Sequence, residues 1–197
     1  MPEERPPASQ RKLAELNARM LRALAHPLRV RMLDLLREDG PATASGLGQR
    51  LGESSGTTSW HLRQLAEHGF VEEDTGRGNR RERWWRSIHE GHQLRSADFL
   101  GNPELAGPLN TYLQSMVEQR YAAESQFVAE LLQWQEVWRD KVTFDDSPLS
   151  LTPDETAALS AEVQAVIERY RREPRDGDTP IRTHWAAFPR QARSEAE

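Results

Sequence analysis

Two short helical segments separated by three residues, with two extended segments directly behind them, constrain the fold of this chain more than any other feature. Residues 44–51 read as a helix weakened by Gly46 and Gly48. Gly52-Glu53-Ser54 reads as a tight turn, and residues 55–67 as a second helix with Trp60, Leu62 and Leu65 as its apolar contacts and Gly69 as its terminator. Short helices joined across such a turn make a helix-turn-helix. Phe70–Asp74 and Glu82–Ser87 then read as strands around a loop holding Gly76, Gly78 and Asn79, which suits a β-hairpin. A hairpin in that place is a wing. The expected fold is mainly α with a small β-hairpin (α+β), a winged helix-turn-helix domain followed by a helical C-terminal extension with short strands.

The flanking sequence supplies the rest of such a domain. Leu13, Leu16, Met20, Leu21 and Leu24 recur at helical spacing and predict a helix over 11–25. Pro27 ends it and opens the next, which runs to Glu38 and is stopped by Asp39-Gly40-Pro41. Beyond Gly101-Asn102-Pro103, residues 109, 113, 116, 120, 123, 127, 131, 134 and 138 recur at steps of three and four and predict one long helix from Leu105 to Trp138, its seam interrupted by Arg120. Thr152-Pro153-Asp154-Glu155 is a capping box that opens a helix over 153–172. Val142-Thr143-Phe144 and Ile181–Phe188 are expected as short strands.

Charge divides the chain in the same way. The net charge of -5 resolves into -1 over residues 1–10, +3 over 11–91 (14 Lys/Arg against 11 Asp/Glu) and -7 over 92–197 (11 against 18). We therefore expect a disordered lead-in (1–10), a mildly basic winged helix-turn-helix domain (11–91) and an acidic C-terminal region for dimerisation or effector binding (92–197). The absence of cysteine removes disulfides, thiolate zinc sites and cysteine nucleophiles together. No apolar run reaches the roughly 20 residues of a membrane span and the opening residues lack a signal-peptide core, so a cytoplasmic protein without membrane contact is expected.

Leu24-Ala25-His26-Pro27-Leu28-Arg29, Leu33 to Leu36, Ser59-Trp60-His61-Leu62-Arg63-Gln64-Leu65 and His68-Gly69-Phe70-Val71 occur in this order. Over about residues 20 to 87 the chain resembles the arsenical-resistance-repressor (ArsR) family of bacterial winged-helix regulators. The resemblance implies a homodimer on a near-palindromic operator in double-stranded DNA, usually a repressor, with the second helix of the motif in the major groove and the wing on flanking backbone or minor groove. It departs from the metal-sensing pattern, because the cysteine pair near the third helix is missing. No metal and no cofactor is expected.

The chemistry of a groove-reading helix points to particular residues. Short polar side chains at its N-terminus let it sink towards base edges, and the amides there favour phosphate. Ser54, Ser55, Thr57, Thr58 and Ser59 supply them, with His61 as a contact or a support and Arg63 as a phosphate clamp. A single such residue would suffice as a cap, and five in six positions favour contact. In the wing, Arg77, Arg80 and Arg81 are candidate phosphate or minor-groove probes, against the alternative of a solubilising tip. Trp60 is read evenly as lying against the groove or packing on the domain. Trp134, Trp138, Phe144 and Trp185 are either core or the lining of a small-molecule effector pocket. No nucleophile motif, phosphate-cradling glycine loop or His-Glu metal pair is present, so an enzyme is not expected. The alternative function is a protein-interaction adaptor that uses a winged helix without DNA.

Overall fold

Pro27 sits at the first position of a twelve-residue helix, and the same kind of local punctuation sets most of the fold. In the computed structural model, which describes residues 14–79, 82–94, 97–172 and 174–190, the elements are β1 (Ala14–Glu15), α1 (Ala18–Leu24), α2 (Pro27–Glu38), β2 (Ala42–Thr43), α3 (Ala44–Leu51), α4 (Ser55–Glu67), β3 (Val71–Asn79), β4 (Glu82–Ser87), β5 (His92–Gln93), α5 (Ala97–Leu100), α6 (Pro103–Trp138) and α7 (Pro153–Tyr170). They fall into two compact units, one ending at Ala129 and the other beginning at Glu130, inside α6.

In the first unit α1 to α4 and a three-stranded antiparallel sheet of order β2-β4-β3 enclose one core. Leu21, Leu24, Met32, Leu33, Leu47, Leu62, Leu65 and Phe70 are fully enclosed, and Trp85 adds one face of β4 while Trp84 is only half-buried. Leu105, Leu109 and Tyr112 bring the start of α6 into the same core. Gly69, at φ +75°, turns the chain from α4 into β3, a conformation that glycine adopts without penalty. The hairpin register shifts by three residues between Glu73 opposite Trp85 and Gly78 opposite Arg83. The winged helix-turn-helix fold is therefore present, with β2 as a third strand beside the hairpin.

Several boundaries differ from expectation. The helix predicted over 11–25 begins at Ala18, where Asn17 Oδ1 accepts from the Met20 amide at 3.0 Å. Ala14 and Glu15 instead pair in parallel with His92 and Gln93, and residues 11–13 lie outside the described residues. β3 runs on to Asn79, through the stretch read as loop. Neither strand expected in the second unit forms: Val142 to Phe144 and Ile181 to Phe188 have no regular structure, and Phe144 and Phe188 are exposed. An isolated segment with no sheet to cover one face gains too little burial to hold an extended ladder. In that unit α7 carries the anticipated capping box, Thr152 with Glu155, and buries no residue.

Candidate nucleic-acid interface

The turn between α3 and α4 is built around two glycines. Gly52 closes α3 in the left-handed region at φ +70°, and the Glu53 amide returns to the Gly48 carbonyl at 2.8 Å. A β-carbon on Gly48 would lie 2.6 Å from the Glu53 carbonyl oxygen, so the fold-back of the turn over α3 requires glycine there. The two glycines that weaken residues 44–51 as an isolated helix thus include the one that lets the motif close.

Ser54 caps α4: its Oγ accepts from the Thr57 amide at 3.1 Å and lies 2.9 Å from Thr57 Oγ1. Thr58 points the other way. Its side chain has no solvent exposure, and its hydroxyl donates to the Ala44 carbonyl at 2.7 Å, with the Ser54 and Ser55 carbonyls at 3.1 and 3.2 Å. That bond joins α4 to the first residue of α3 and sets the angle of the motif. His61 is 5 % exposed and packs against His26 with ring centroids 4.4 Å apart and the rings tilted by 53°, while the Trp60 ring meets it edge-on at 4.7 Å. Burial holds the His61 imidazole below its ordinary range, helped by His26 and Arg29 against the pull of Glu53. His26 is lowered by burial and then by Arg29. A neutral, enclosed His61 supports the helix and offers no charge to a phosphate.

Of the candidate contacts, Thr58 and His61 thus lie on the inward face of α4, Thr58 against its reading as a contact and His61 in the supporting place that the sequence left open beside contact. The signal was in the spacing: 58, 61, 62 and 65 share one helical face, so Thr58 and His61 extend the apolar stripe of Leu62 and Leu65. The outward face holds Ser55, Gly56, Ser59, Trp60 and Arg63, with Ser54 and Thr57 at its N-terminal edge. Trp60, at 50 % exposure, belongs to it. Arg63 is exposed, and its Nε donates to the Ser59 carbonyl at 3.3 Å, which folds the side chain along the helix.

In the wing, carboxylates on β3 meet the arginines. Arg77 is 3.4 Å from Asp74, itself nearly buried; Arg83 is 3.9 Å from Glu73, and Arg86 is 2.9 Å from Glu72. Arg80 and Arg81 lie outside the described residues. The outward α4 face carries neutral hydroxyls, an indole and one guanidinium, a set able to donate to phosphates and to meet base edges and sugars by apolar contact.

Of the four aromatics of the second unit, Phe144 and Trp134 are exposed and Trp138 and Trp185 half-buried. Phe144 is 62 % exposed and Trp134 37 %, so these two do not line a closed cavity, whereas the Trp185 indole N–H is enclosed without a hydrogen-bond acceptor. Among the described residues no three His, Asp or Glu side chains gather as a metal site, and no helix is long and apolar enough to cross a membrane.

Residues 24–74 match a family described as helix-turn-helix domain. No curated protein matches the chain. Among solved structures the chain is similar to a mutant of ZitR from Lactococcus lactis in its apo form, at 15 % identity over 75 % of this chain and 84 % of that one, with a TM-score of 0.31. It is similar also to a mutant of MarR from E. coli, at 19 % identity over 76 % and 87 % with a TM-score of 0.30. A third is disulfide-formed AbfR, at 20 % identity over 57 % and 83 % with a TM-score of 0.28. These likenesses are loose, and the stronger ground is local: the matched segment contains α2, α3, the turn and α4, with the hairpin directly behind. Residues 24–74 are a helix-turn-helix domain, carried on a winged fold.

Proposed function

We propose that this protein is a sequence-specific DNA-binding transcription regulator of the ArsR type, a cytoplasmic homodimer that represses by occupying a near-palindromic operator. The outward face of α4 carries the reading. Its inner face is fixed by Thr58, His61, Leu62 and Leu65, which leaves Ser55, Ser59, Trp60 and Arg63 presented on a rigid helix rather than spent on packing. In this reading α4 enters the major groove with Ser54, Ser55, Thr57, Ser59 and Trp60 near bases and sugars. Arg63 and the wing arginines Arg80 and Arg81 contact phosphate, and Arg77, first read as a third such probe, holds the wing beside Asp74. The domain division drawn from charge, with the basic module before residue 92 and the acidic region after it, belongs to the same proposal.

The test is binding of the full chain to random duplex DNA and to fragments selected from its source genome, across a salt series. A regulator binds both, the selected fragments more tightly, with affinity falling steeply as salt rises. Arg63→Ala is expected to weaken binding to all duplexes and reduce the salt slope by about 1, whereas Ser55→Ala and Trp60→Ala act mainly on the selected fragments. Absence of binding to any duplex at low salt overturns the proposal and favours the adaptor.

A further inference from the structure

At the start of α2 three side-chain nitrogens are enclosed with little to bond to. His61 Nδ1 and Arg29 Nε have no hydrogen-bond partner among the described residues, and His26 Nδ1 has none beyond its own backbone. They form one cluster, because the His26 and His61 rings are 4.4 Å apart and the Arg29 charge bears on both. His61, more than nine-tenths buried, closes the back, while His26 and Arg29 are half-buried and reach solvent. A buried donor or acceptor left unpaired costs about 1–3 kcal/mol, so such atoms gathered in one place point to a partner from outside the chain.

The surroundings select an anion. Arg22, Arg37 and Arg50 each meet a carboxylate, whereas none pairs with Arg29 among the described residues, and burial draws its guanidinium below the usual value. α2 adds its own positive end, since its N-cap, His26, makes no side-chain cap and Pro27 has no amide. The Arg29 and Val30 amides return to the His26 carbonyl at 3.0 and 3.3 Å, which leaves the Leu28 amide as the donor of the first turn. His61 also meets Trp60, so the cluster borders the outward face of α4. We propose that Arg29, His26 and the Leu28 amide, with His61 behind them, form a seat for one phosphate group beside α4. A backbone phosphodiester and a free phosphate share the chemistry that this seat recognises; the first source rests on the DNA-binding reading above, and the second does not.

Filling the seat changes the two imidazoles. Burial comes first, followed by Arg29 for His26 and by His26 and Arg29 for His61; together they hold both rings below the ordinary range, with Glu53 pulling weakly the other way. Both are therefore neutral in the free protein. A phosphate is a stronger counter-charge than Glu53 and lets the pair take up a proton, one only, because two charged rings in contact repel. Occupancy thus rises as the pH falls. Glu53, whose carboxylate acts on both rings, competes with the phosphate for the same positive field.

The experiment titrates the full-length protein, its histidine rings isotope-labelled for nuclear magnetic resonance, with inorganic phosphate and separately with a short random duplex. Occupancy of the seat is expected to move the His26 and His61 ring signals towards the imidazolium position. Arg29→Gln abolishes those shifts, weakens duplex binding about threefold to tenfold and lowers its salt slope by about 1. Glu53→Gln tightens whichever titrant fills the seat. Ring shifts with the duplex identify a backbone phosphodiester as the occupant; shifts with inorganic phosphate alone, with duplex binding indifferent to Arg29→Gln, identify a free phosphate. If neither titrant moves the two rings, or the shifts survive Arg29→Gln, the seat is refuted, even where the duplex still binds and the DNA-binding reading stands. If no duplex binds but phosphate moves the rings, that reading falls and the seat remains. Should circular dichroism show Arg29→Gln unfolded, Glu53→Gln decides: ring shifts that it leaves at the same titrant concentration refute the seat.

Discussion

Lowering the pH from 8 to 5 is expected to cost the protein about 2 kcal/mol of folding stability through His92 alone. The imidazole is enclosed between α2 and α6. Arg37 Nη1 lies 2.8 Å from its Nδ1, the Tyr112 hydroxyl is hydrogen-bonded to its Nε2, and Arg37 Nε donates to the His89 carbonyl at 3.2 Å. Asp34 faces the same guanidinium at 3.8 Å. A guanidinium only donates, so Nδ1 must accept and Nε2 must carry the proton that is given to Tyr112. Burial, then Arg37, then His89 hold His92 down to about 3, against 6.5 in a solvated imidazole. The sign follows. Below 6.5 the unfolded chain takes up a proton that the folded chain refuses, so this stability is whole above 6.5 and drains away as the pH falls towards 3.

At pH 5 the unfolded imidazole lies about 1.5 units below its own pKa, and at about 1.36 kcal/mol per unit this gives the 2 kcal/mol. Urea unfolding followed by tryptophan fluorescence, at one protein concentration and at pH 8, 7, 6 and 5, measures it. His92→Asn keeps an acceptor for Arg37 and removes the titration. The variant is less stable at every pH, but its pH slope is expected to be flatter by about 2 kcal/mol across the range. A remaining slope of the same sign is expected from His26 and His61, both lowered by burial. Equal slopes in the unaltered protein and the variant would refute the reasoning.

Two further substitutions test the architecture of the α3–α4 motif. Thr58→Ala removes the hydroxyl that donates to the Ala44 carbonyl and should cost about 1–3 kcal/mol, read as a shift in the urea midpoint, while Thr58→Ser recovers most of it. Gly48→Ala discriminates by sign: helix propensity alone predicts a gain of about 1 kcal/mol, whereas a methyl group 2.6 Å from the Glu53 carbonyl predicts a net loss of about 1–3 kcal/mol, and thermal unfolding decides between them.

The elements most legible in the sequence are those bounded by local chemistry. Pro27 opens α2, Gly52 closes α3, Ser54 caps α4 and Gly69 ends it, and each acts through residues within one turn of itself. What stayed hidden is non-local. β1 exists because Ala14 and Glu15 find His92 and Gln93 across the sequence, and β2 because Ala42 and Thr43 find Trp85 and Trp84; two-residue segments carry no periodicity of their own. Tyr112 reads as one more position along a polar helix until Arg37 and His92 are placed around it. Within α4 the inward turn of Thr58 and His61 was available from spacing, but residue type argued for the surface, because Thr and His beside a serine cluster look like contacts.

Electrostatics shows a different limit. Arginines counted along the hairpin suggest a basic probe, yet Arg77, Arg83 and Arg86 each meet a carboxylate on β3, so their field at a distance is largely cancelled. Exposed pairs of this kind are worth about 0–1 kcal/mol, so a phosphate can draw Arg83 or Arg86 away at little cost. Glu72 and Glu73 then remain beside the duplex and repel it. Asp74 differs, because it is nearly buried and Arg77 is its counter-ion at 3.4 Å; taking Arg77 would leave a carboxylate with little water and without the cation it has among the described residues. On the DNA-binding reading, Arg77 therefore serves the wing by holding its shape. Phosphate contact falls to the arginines whose partners can afford to be left.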